Sequence, residues 1–442
     1  MLERYKKYKT TNYDWLPQIP SHWDKKTIRS ITKLSDKRCG LRNDLELLSV
    51  YREYGVIKKK SRDDNHNVES ENLSNYKYVK KGNLVLNKMK MWQGSLGISD
   101  YDGIVSPAYI VCDLFTNANL KYLQFLLRSP LLKTFYNRVT YGIRVGQWDM
   151  HYDDFKSLCL YFPPCPEQDQ IVRYLDWKVS MINKYINAKK KQIELLKEHF
   201  SKKVTDLLFK DVTSFLKMKH LTEYKLQYGA NASGIDFTDK YPRYIRITDI
   251  NNDGTLSTDN VLSLNISNYN DYLLKDGDIL FARSGATVGK SFMYKDEYGK
   301  CCFAGYLICI IPNKKIILPE YLYYYTLSSN YNKWLKQVFI QTTIQNVSAE
   351  KYKELIIPYI PLEKQTKLVS RINFELEKNK NIIKNIIKTI NFLQEYRTRL
   401  ISDVVTGKVN IQNVKVPEFE NIDVPDVLDS GEGEEEGING DN

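Results

Sequence analysis

The chain has 442 residues, of which 42% are apolar, so it is long enough to form two or three domains with buried cores. It contains no run of about 18 apolar residues and begins without an apolar segment, so we expect neither a membrane span nor a secretory signal. Its seven cysteines show no Cys-x-x-Cys spacing, which argues against a disulfide scaffold or a cysteine zinc site and favours a reducing, cytoplasmic compartment.

Charge is distributed unevenly along the chain. Residues 1–416 carry 65 basic and 43 acidic residues, a net charge of +22, whereas Pro417 to Asn442 contribute ten acidic and no basic residues. A basic body with an acidic tail favours a polyanionic partner, most often nucleic acid. The alternative is a solvated, lysine-rich surface, because Lys, Asn, Ile and Tyr are all frequent in this sequence.

Short strands and helices are predicted in two separate parts of the chain. Runs of β-branched and aromatic residues predict strands at 83–86, 104–105, 109–111, 244–247, 278–281 and 307–311. Amphipathic stretches predict helices over 120–132 and 319–335. Strands and helices do not alternate strictly, so the predicted fold class is α+β.

An internal repeat organises the whole sequence. At an offset of 197 residues, Pro164 matches Pro361 and Gln168 matches Gln365. Further upstream, Lys81-Gly82-Asn83 resembles Asp276-Gly277-Asp278 at a slightly different offset. The sequence therefore predicts a unit of about 200 residues used twice, with divergent front parts and better-kept rear parts.

The rear part of each unit predicts a long helix. Apolar residues recur there at steps of three and four over about five heptads, which is typical of a coiled-coil seam. The seam residues are Ile171, Leu175, Ile182, Ile186, Ile193 and Leu196, and then Leu368, Ile372, Ile383, Ile390 and Leu393. The alternative is an amphipathic helix lying on a globular core.

Motifs that would indicate catalysis are incomplete. The stretch from Gly285 to Ser291 resembles a phosphate-binding loop, but three residues separate its glycines where four are needed. Phe162-Pro163-Pro164 lacks the leading amide or carboxylate of an amino-methyltransferase loop, and no Gly-x-Gly cofactor loop accompanies it. The five histidines show no metal-ligand spacing. We therefore expect no catalytic residue, metal site or cofactor in this chain.

Polar loops suited to reading DNA bases occur as two matching pairs. In the first pair 87–94 matches 282–287, and in the second pair 141–148 matches 341–346. Arg or Lys can read guanine, Asn or Gln can read adenine, and Thr can contact a thymine methyl group. The candidate DNA-binding residues are Lys88, Lys90, Trp92, Gln93, Arg144, Gln147, Arg246, Arg283, Ser284, Thr287, Thr342 and Gln345. The alternative is that these loops are plain polar hairpins.

In this order, the features resemble the specificity subunit of type I restriction–modification enzymes. The stretch from Asn12 to Trp23 is similar to the opening of that family, and Arg399 to Lys408 resembles its closing stretch. Residues 82–97 and 277–290 resemble two different target-recognition signatures. The Pro-Pro-x-x-Glu-Gln start of the first long helix, degenerate in the second copy, is similar to the family's spacer regions.

The resemblance implies a domain order and a division of labour. Two globular target recognition domains, residues 1–166 and 211–362, would each read half of a split site in double-stranded DNA. Long spacer helices, residues 167–210 and 363–409, would pack as an antiparallel coiled coil and hold those domains apart in a pseudo-two-fold repeat. The acidic tail, 410–442, lies outside the resemblance and is expected to be largely disordered.

The resemblance also implies partners. Two DNA methyltransferase (modification) subunits and the restriction/translocase subunits would carry the S-adenosylmethionine, ATP and Mg chemistry in the bacterial cytoplasm, and no membrane would be involved. Two alternatives stay open. One is a DNA-binding structural or regulatory protein without enzyme partners, and the other is a nucleotide hydrolase that uses the loop from Gly285 to Ser291.

Overall fold

The computed structural model describes residues 3–13, 15–40, 45–52, 54–61, 73–141, 148–251, 254–285, 288–340 and 346–419. The chain divides into two compact units. Unit 1 contains Met1–Lys189 and Lys388–Asn442, and unit 2 contains Lys190–Ile387. Each unit therefore includes part of both long helices.

Unit 1 combines small antiparallel sheets with short helices. Its strands are β1 (Tyr8–Thr10), β2 (Gln18–Pro20), β3 (Asp24–Thr27), β4 (Thr32–Ser35), β5 (Leu48–Tyr51), β6 (Gly55–Lys58), β7 (Lys77–Val79), β8 (Leu84–Asn87), β9 (Leu96–Ile98), β10 (Gly103–Val105), β11 (Tyr109–Leu114), β12 (Thr140–Tyr141), β13 (Asp149–Met150) and β14 (Cys159–Phe162). Its short helices are α1 (Ile28–Ile31), α2 (Leu120–Leu127), α3 (Pro130–Val139) and α4 (Tyr152–Phe155). The largest sheet has the order β4-β11-β8-β9. Strand β8 is buried on both faces, which explains its continuous apolar run.

The first long helix, α5 (Cys165–Phe209), leads into unit 2. The strands of unit 2 are β15 (Ser214–Lys217), β16 (Gln227–Tyr228), β17 (Ile235–Asp236), β18 (Arg243–Ile245), β19 (Leu262–Ser263), β20 (Ile279–Ala282), β21 (Ser291–Met293), β22 (Cys301–Phe303), β23 (Leu307–Ile310) and β24 (Ile356–Tyr359). Its helices are α6 (Pro319–Thr326), α7 (Ser329–Ile340) and α8 (Ala349–Lys353), and the second long helix is α9 (Leu362–Val405).

Strand β20 supplies two hydrophobic cores of unit 2. It lies in a sheet of order β16-β23-β20-β21. Because successive side chains of a strand point to opposite faces, Ile279 and Phe281 join the core beneath α6 and α7, whereas Leu280 and Ala282 join a core with Phe303. The pairs in both units are antiparallel except for a parallel pairing of β18 with β22 among the named strands of the described residues. This confirms the α+β class.

Each predicted front helix is broken into two. The predicted helix 120–132 is α2 and α3, because Pro130 has no N–H to continue the first helix and disfavours helical geometry at Ser129. The predicted helix 319–335 is α6 and α7, and there the Ser328 hydroxyl accepts a hydrogen bond from the Tyr331 N–H at 3.2 Å. The break in each unit therefore has its own local cause.

The two long helices pair antiparallel. In unit 2, Asn379 Nδ2 donates to the Leu196 carbonyl at 3.2 Å, and Lys203 Nζ lies 2.7 Å from Glu375 Oε2. In unit 1, the Arg397 guanidinium donates to Asn183 Oδ1 at 2.7 Å. The polar residue Asn379 thus binds the opposite backbone where the apolar pattern is interrupted.

The seam residues differ in burial. Six of them are buried, namely Ile171, Leu175, Ile182, Ile186, Ile372 and Ile390. The others are half-buried, namely Ile193, Leu196, Leu368, Ile383 and Leu393. Helix α9 ends four residues before its predicted boundary, because Gly407 takes a positive φ of 73° and closes the last turn.

The acidic tail begins later than predicted. Ile411 is fully buried, and the Asn410 N–H donates to the Glu3 carbonyl at 2.8 Å. Gln170 Nε2 donates to the carbonyls of Ile411 and Val414. Residues 410–414 are therefore packed in unit 1, because an apolar side chain and backbone pairing hold them there. Residues 420–442 lie outside the described residues.

Candidate nucleic-acid interface

Lys88 is held between two loops of unit 1. It follows β8, its N–H donates to the Ala108 carbonyl at 3.3 Å, and its carbonyl accepts from the Met150 N–H at 3.2 Å. Asn87 Oδ1 accepts from the N–H groups of Met89 and Lys90 and so turns the chain after the strand. The predicted loop 87–94 therefore lies against β13, at the end of the second predicted loop.

Aromatic and polar side chains line the same place in unit 1. The rings of Trp92 and Trp148 meet edge to face at a centroid distance of 5.6 Å, and both are half-buried. Lys88, Lys90 and Gln93 are also half-buried. The structure thus brings the described parts of the two predicted loops of unit 1 together around a tryptophan pair.

Lys77 adds a buried cation beside this loop. Its ammonium group donates to the Tyr109 carbonyl at 2.8 Å, and the residue is 8% exposed. Burial lowers the pKa of Lys77, and the positive charges of Lys88 and Arg38 lower it further. The carboxylate of Asp36, which lies 3.1 Å from the Arg38 guanidinium, acts on the pKa of Lys77 in the opposite direction.

Arg283 occupies the equivalent place in unit 2. It follows β20, its N–H donates to the Tyr306 carbonyl at 3.0 Å, and its carbonyl accepts from the Val347 N–H at 2.8 Å. Ser284 pairs with Asn346 in an antiparallel bridge. The two predicted loops of unit 2 are therefore joined by the same two kinds of backbone hydrogen bond as the two loops of unit 1.

The stretch that resembles a phosphate-binding loop has a different geometry. Its described residues follow β20 and lead into β21, which pairs antiparallel with β20, whereas a phosphate-binding loop joins a strand to a helix. Lys290 Nζ donates to the Ile250 carbonyl at 2.6 Å. A Cβ at Gly289, where φ is 84°, would lie 2.4 Å from the Leu335 side chain. Close packing therefore explains the second glycine of the stretch.

Arg246 is engaged within the protein. Its Nη2 donates to Asp249 Oδ1 at 2.7 Å and to the Asn260 carbonyl at 2.9 Å, and its Nε donates to Asp249 Oδ2 at 3.1 Å. Asp249 is 4% exposed. This pair fixes the turn after β18, which ends the strand two residues before its predicted end. Arg246 therefore holds this turn, and its predicted contact with DNA stays a prediction.

Several candidates lie outside the described residues, namely Arg144, Gln147, Thr287, Thr342 and Gln345. Ser284 is half-buried beside Asn346. Sequence reasoning missed Lys77, Tyr228, Tyr306 and Asn346 as site residues. Asn346 belonged to a predicted loop, but Tyr228 comes to Arg283 only through the pairing of β16 with β23, which local sequence does not reveal.

The described parts of the chain show neither a metal-binding cluster nor a membrane-spanning helix. Among those residues, no group of three or more His, Cys, Asp or Glu side chains is placed to hold a metal ion. No helix within them combines the length and apolar character needed to cross a membrane.

A family model for the type I restriction modification DNA specificity domain matches residues 20–195 and 230–392, one segment for each copy of the repeat. The chain belongs to this family. It is accordingly a DNA specificity component of a type I restriction–modification system, a component distinct from the catalytic ones.

Solved structures share the fold. A chain from a structural study of complex assembly and conformational transition of the type I R-M system is 13% identical, with a TM-score of 0.61 over 88% of this chain and 99% of that one. The HsdS subunit from Thermoanaerobacter tengcongensis is 15% identical over 90% and 100% of the two chains, with a TM-score of 0.42. The S subunit from M. genitalium is 15% identical over 90% and 97%, with a TM-score of 0.35. The fold comparison rests on the first of these.

Proposed function

We propose that each unit reads one half of a bipartite DNA site. Unit 1 would contact DNA through Lys88, Lys90, Trp92 and Gln93, and unit 2 through Arg283 and its neighbours. The two front parts differ in sequence, so the two half-sites would differ as well. The recognised site as a whole would be asymmetric.

One observation carries this proposal. In both units a basic residue at the end of a central buried strand is fixed by one backbone hydrogen bond on each side, Lys88 in unit 1 and Arg283 in unit 2. A rigid support of this kind limits the directions available to a side chain, which sequence-specific contact with a base edge requires. A plain surface hairpin has no need of an equivalent support.

The division of labour extends the proposal to partners. Two DNA methyltransferase subunits would supply S-adenosylmethionine chemistry, and restriction/translocase subunits would supply ATP and Mg chemistry, in the bacterial cytoplasm. The family membership and the basic body of the chain support this arrangement. In this proposal the chain itself binds none of these cofactors.

Exchange of the front parts tests the proposal. Residues 1–166 would be replaced by the corresponding part of a relative with another target, and residues 211–362 would be replaced in a second variant. Base-resolution mapping of methylated sites in the host should show that each exchange alters a different half-site. A single exchange that altered both half-sites would contradict independent reading.

Co-purification tests the partners. A tagged full-length chain expressed from its own locus should bring down a methyltransferase subunit. If it binds its DNA site without any such partner, a regulatory DNA-binding protein would be the better description.

A further inference from the structure

Tyr228 lies at the junction of the two loops in unit 2. The Cζ atom of Arg283 stands 4.8 Å from the centroid of the Tyr228 ring, a distance typical of a cation–π contact. The Tyr228 hydroxyl accepts a hydrogen bond from the Ala349 N–H at 3.0 Å. The ring therefore touches the residue after β20, and the hydroxyl touches the segment that follows Asn346.

The position of Tyr228 is itself fixed. The residue pairs with Ile308 at the edge of the sheet, and the next residue, Gly229, passes very close to another backbone segment. A Cβ at Gly229 would lie 2.3 Å from the Ala304 carbonyl oxygen. This close approach holds the end of β16 in place, so the Tyr228 ring is a rigid platform for the guanidinium of Arg283.

Two buried polar atoms at this junction have no partner among the described residues. One is a donor, Arg283 Nε, and the other is an acceptor, Asn346 Oδ1. The two residues that carry these atoms lie in neighbouring backbone segments. Ser284 pairs with Asn346, and the Val347 N–H donates to the Arg283 carbonyl. A buried polar atom without a hydrogen-bond partner lowers the stability of the folded protein. A ligand that offers an acceptor to Arg283 Nε and a donor to Asn346 Oδ1 would supply both missing partners.

A purely structural role for the cluster explains less. A cation–π contact alone would hold Arg283 against Tyr228. It would not explain why a polar side chain, with an unpaired oxygen, stands at position 346. Packing the loops would be served equally by an apolar residue at 346. The presence of both unpaired atoms distinguishes a recognition point from a packing contact.

We infer that Asn346 is a specificity-determining residue of the unit 2 half-site, and that Tyr228 is a positioning residue that aims Arg283 at a base edge. This inference rests on the proposed function. Asn346 Oδ1 would accept from an exocyclic amino group, which adenine and cytosine present in the major groove. Arg283 would donate to the acceptors of the same or the adjacent base pair, with guanine N7 and O6 as its best match.

Selection of bound duplexes from a randomised DNA pool tests the inference, with the full chain in its native complex. In the wild type, an amino-bearing base should be preferred at one position of one half-site by about ten-fold or more. Asn346→Ala should abolish this preference. Asn346→Asp distinguishes recognition of adenine from recognition of cytosine. Aspartate accepts from cytosine, so a cytosine preference would be kept, whereas an adenine preference would be lost because the amide donor to N7 is gone.

The role of Tyr228 is tested by a graded pair of substitutions. Tyr228→Phe keeps the ring and should keep the base preference at the position read by Arg283. Tyr228→Leu removes the ring and should relax that preference toward the level of Arg283→Ala. Tyr224→Leu, which removes an exposed tyrosine of the same unit, is the matched control. Urea unfolding midpoints would show that each variant is folded.

The outcomes separate the two proposals. A wild-type complex without any base preference would overturn the proposed function and the inference with it. A wild-type complex that selects a bipartite site, combined with folded Asn346→Ala and Tyr228→Leu variants that select the same site, would overturn only the inference.

Discussion

The side chain of Gln365 accepts a hydrogen bond from the backbone N–H of Leu318, at 2.7 Å, immediately before helix α6 begins. Its Nε2 donates to the carbonyls of Ile316 and Ile360. In unit 1, Gln168 accepts from the Asn119 N–H at 2.8 Å, immediately before α2, and donates to the Pro163 carbonyl. The glutamine present in both copies of the repeat therefore joins a long helix, through side-chain hydrogen bonds, to the globular part of the same unit.

Replacement of Gln365 by Leu should destabilise unit 2. The residue is fully buried, and its loss would leave the Leu318 N–H and two carbonyls without partners, at a cost of about 1–3 kcal/mol for each group that water cannot reach. Urea unfolding of the full chain measures the loss. Lys367→Leu, at an exposed position of the same helix, is the control and should change stability by less than about 0.5 kcal/mol. Equal effects of the two substitutions would show that the amide has no special role.

Asp278 should make stability depend on pH. Burial raises the pKa of this carboxyl from 3.8 to about 6, although the Lys275 N–H donates to it at 2.8 Å. The folded state then holds a proton that the unfolded state releases, so stability falls as pH rises between about 4 and about 6. The full effect is on the order of 1–3 kcal/mol.

The matched variant is Asp278→Asn, because unit 1 carries Asn83 at the equivalent position, where it accepts from the Lys80 N–H at 2.7 Å. The difference in unfolding free energy, variant minus wild type, should grow as pH is raised from 4 to 7. Asp276→Asn, at an exposed position two residues earlier, is the control. A difference that stays constant over this range would mean that Asp278 is ionised throughout.

Arg246→Met should reduce stability without altering the DNA site. Its guanidinium makes two hydrogen bonds to a buried carboxylate, so its removal leaves Asp249 undercompensated, at a cost of about 2 kcal/mol. Thermal unfolding and the base selection described above are the two measurements, with Lys240→Met as a control for loss of a surface charge. A changed base preference at normal stability would return Arg246 to the group of reading residues.

DNA binding should weaken steeply with salt. About eight phosphate contacts from the basic body would give a slope near −7 in a plot of log affinity against log salt concentration. Lys88→Ala should make the slope about one unit less steep if its ammonium group contacts a phosphate. A flat response would remove the electrostatic part of the proposal.

Features that repeat along the sequence were predictable, and features that depend on distant pairing were not. The internal repeat indicated that loops 87–94 and 282–287 occupy equivalent places, because a repeated fold places equivalent residues alike. Tyr228 could not be found in this way, since it reaches Arg283 across a sheet from 55 residues earlier in the chain. Arg246 was predicted to contact DNA although Asp249, three residues later, is a partner that its spacing suggests.

The breaks in the two predicted front helices also show which helix boundaries local sequence can reveal. Pro130 is a local signal that could have ended the first predicted helix at Arg128. Ser328 is a weaker signal, because serine is common within helices as well as at their starts. Asn379 binds the opposite helix, but its partner is a backbone carbonyl that no sequence pattern specifies.

The two units differ in how the chain completes them, and this has a consequence for synthesis. Unit 2 is built from one continuous stretch, 190–387, whereas unit 1 needs Glu167 to bind Tyr5 and Trp23 near one end of the sequence and Gln412 near the other. On the ribosome, unit 2 can close as soon as its stretch has emerged. Unit 1 cannot complete its packing until the end of α9 and Ile411 have been synthesised. A nascent chain that stops before residue 411 would therefore present a finished unit 2 and an open unit 1, which exposes truncated products to proteases.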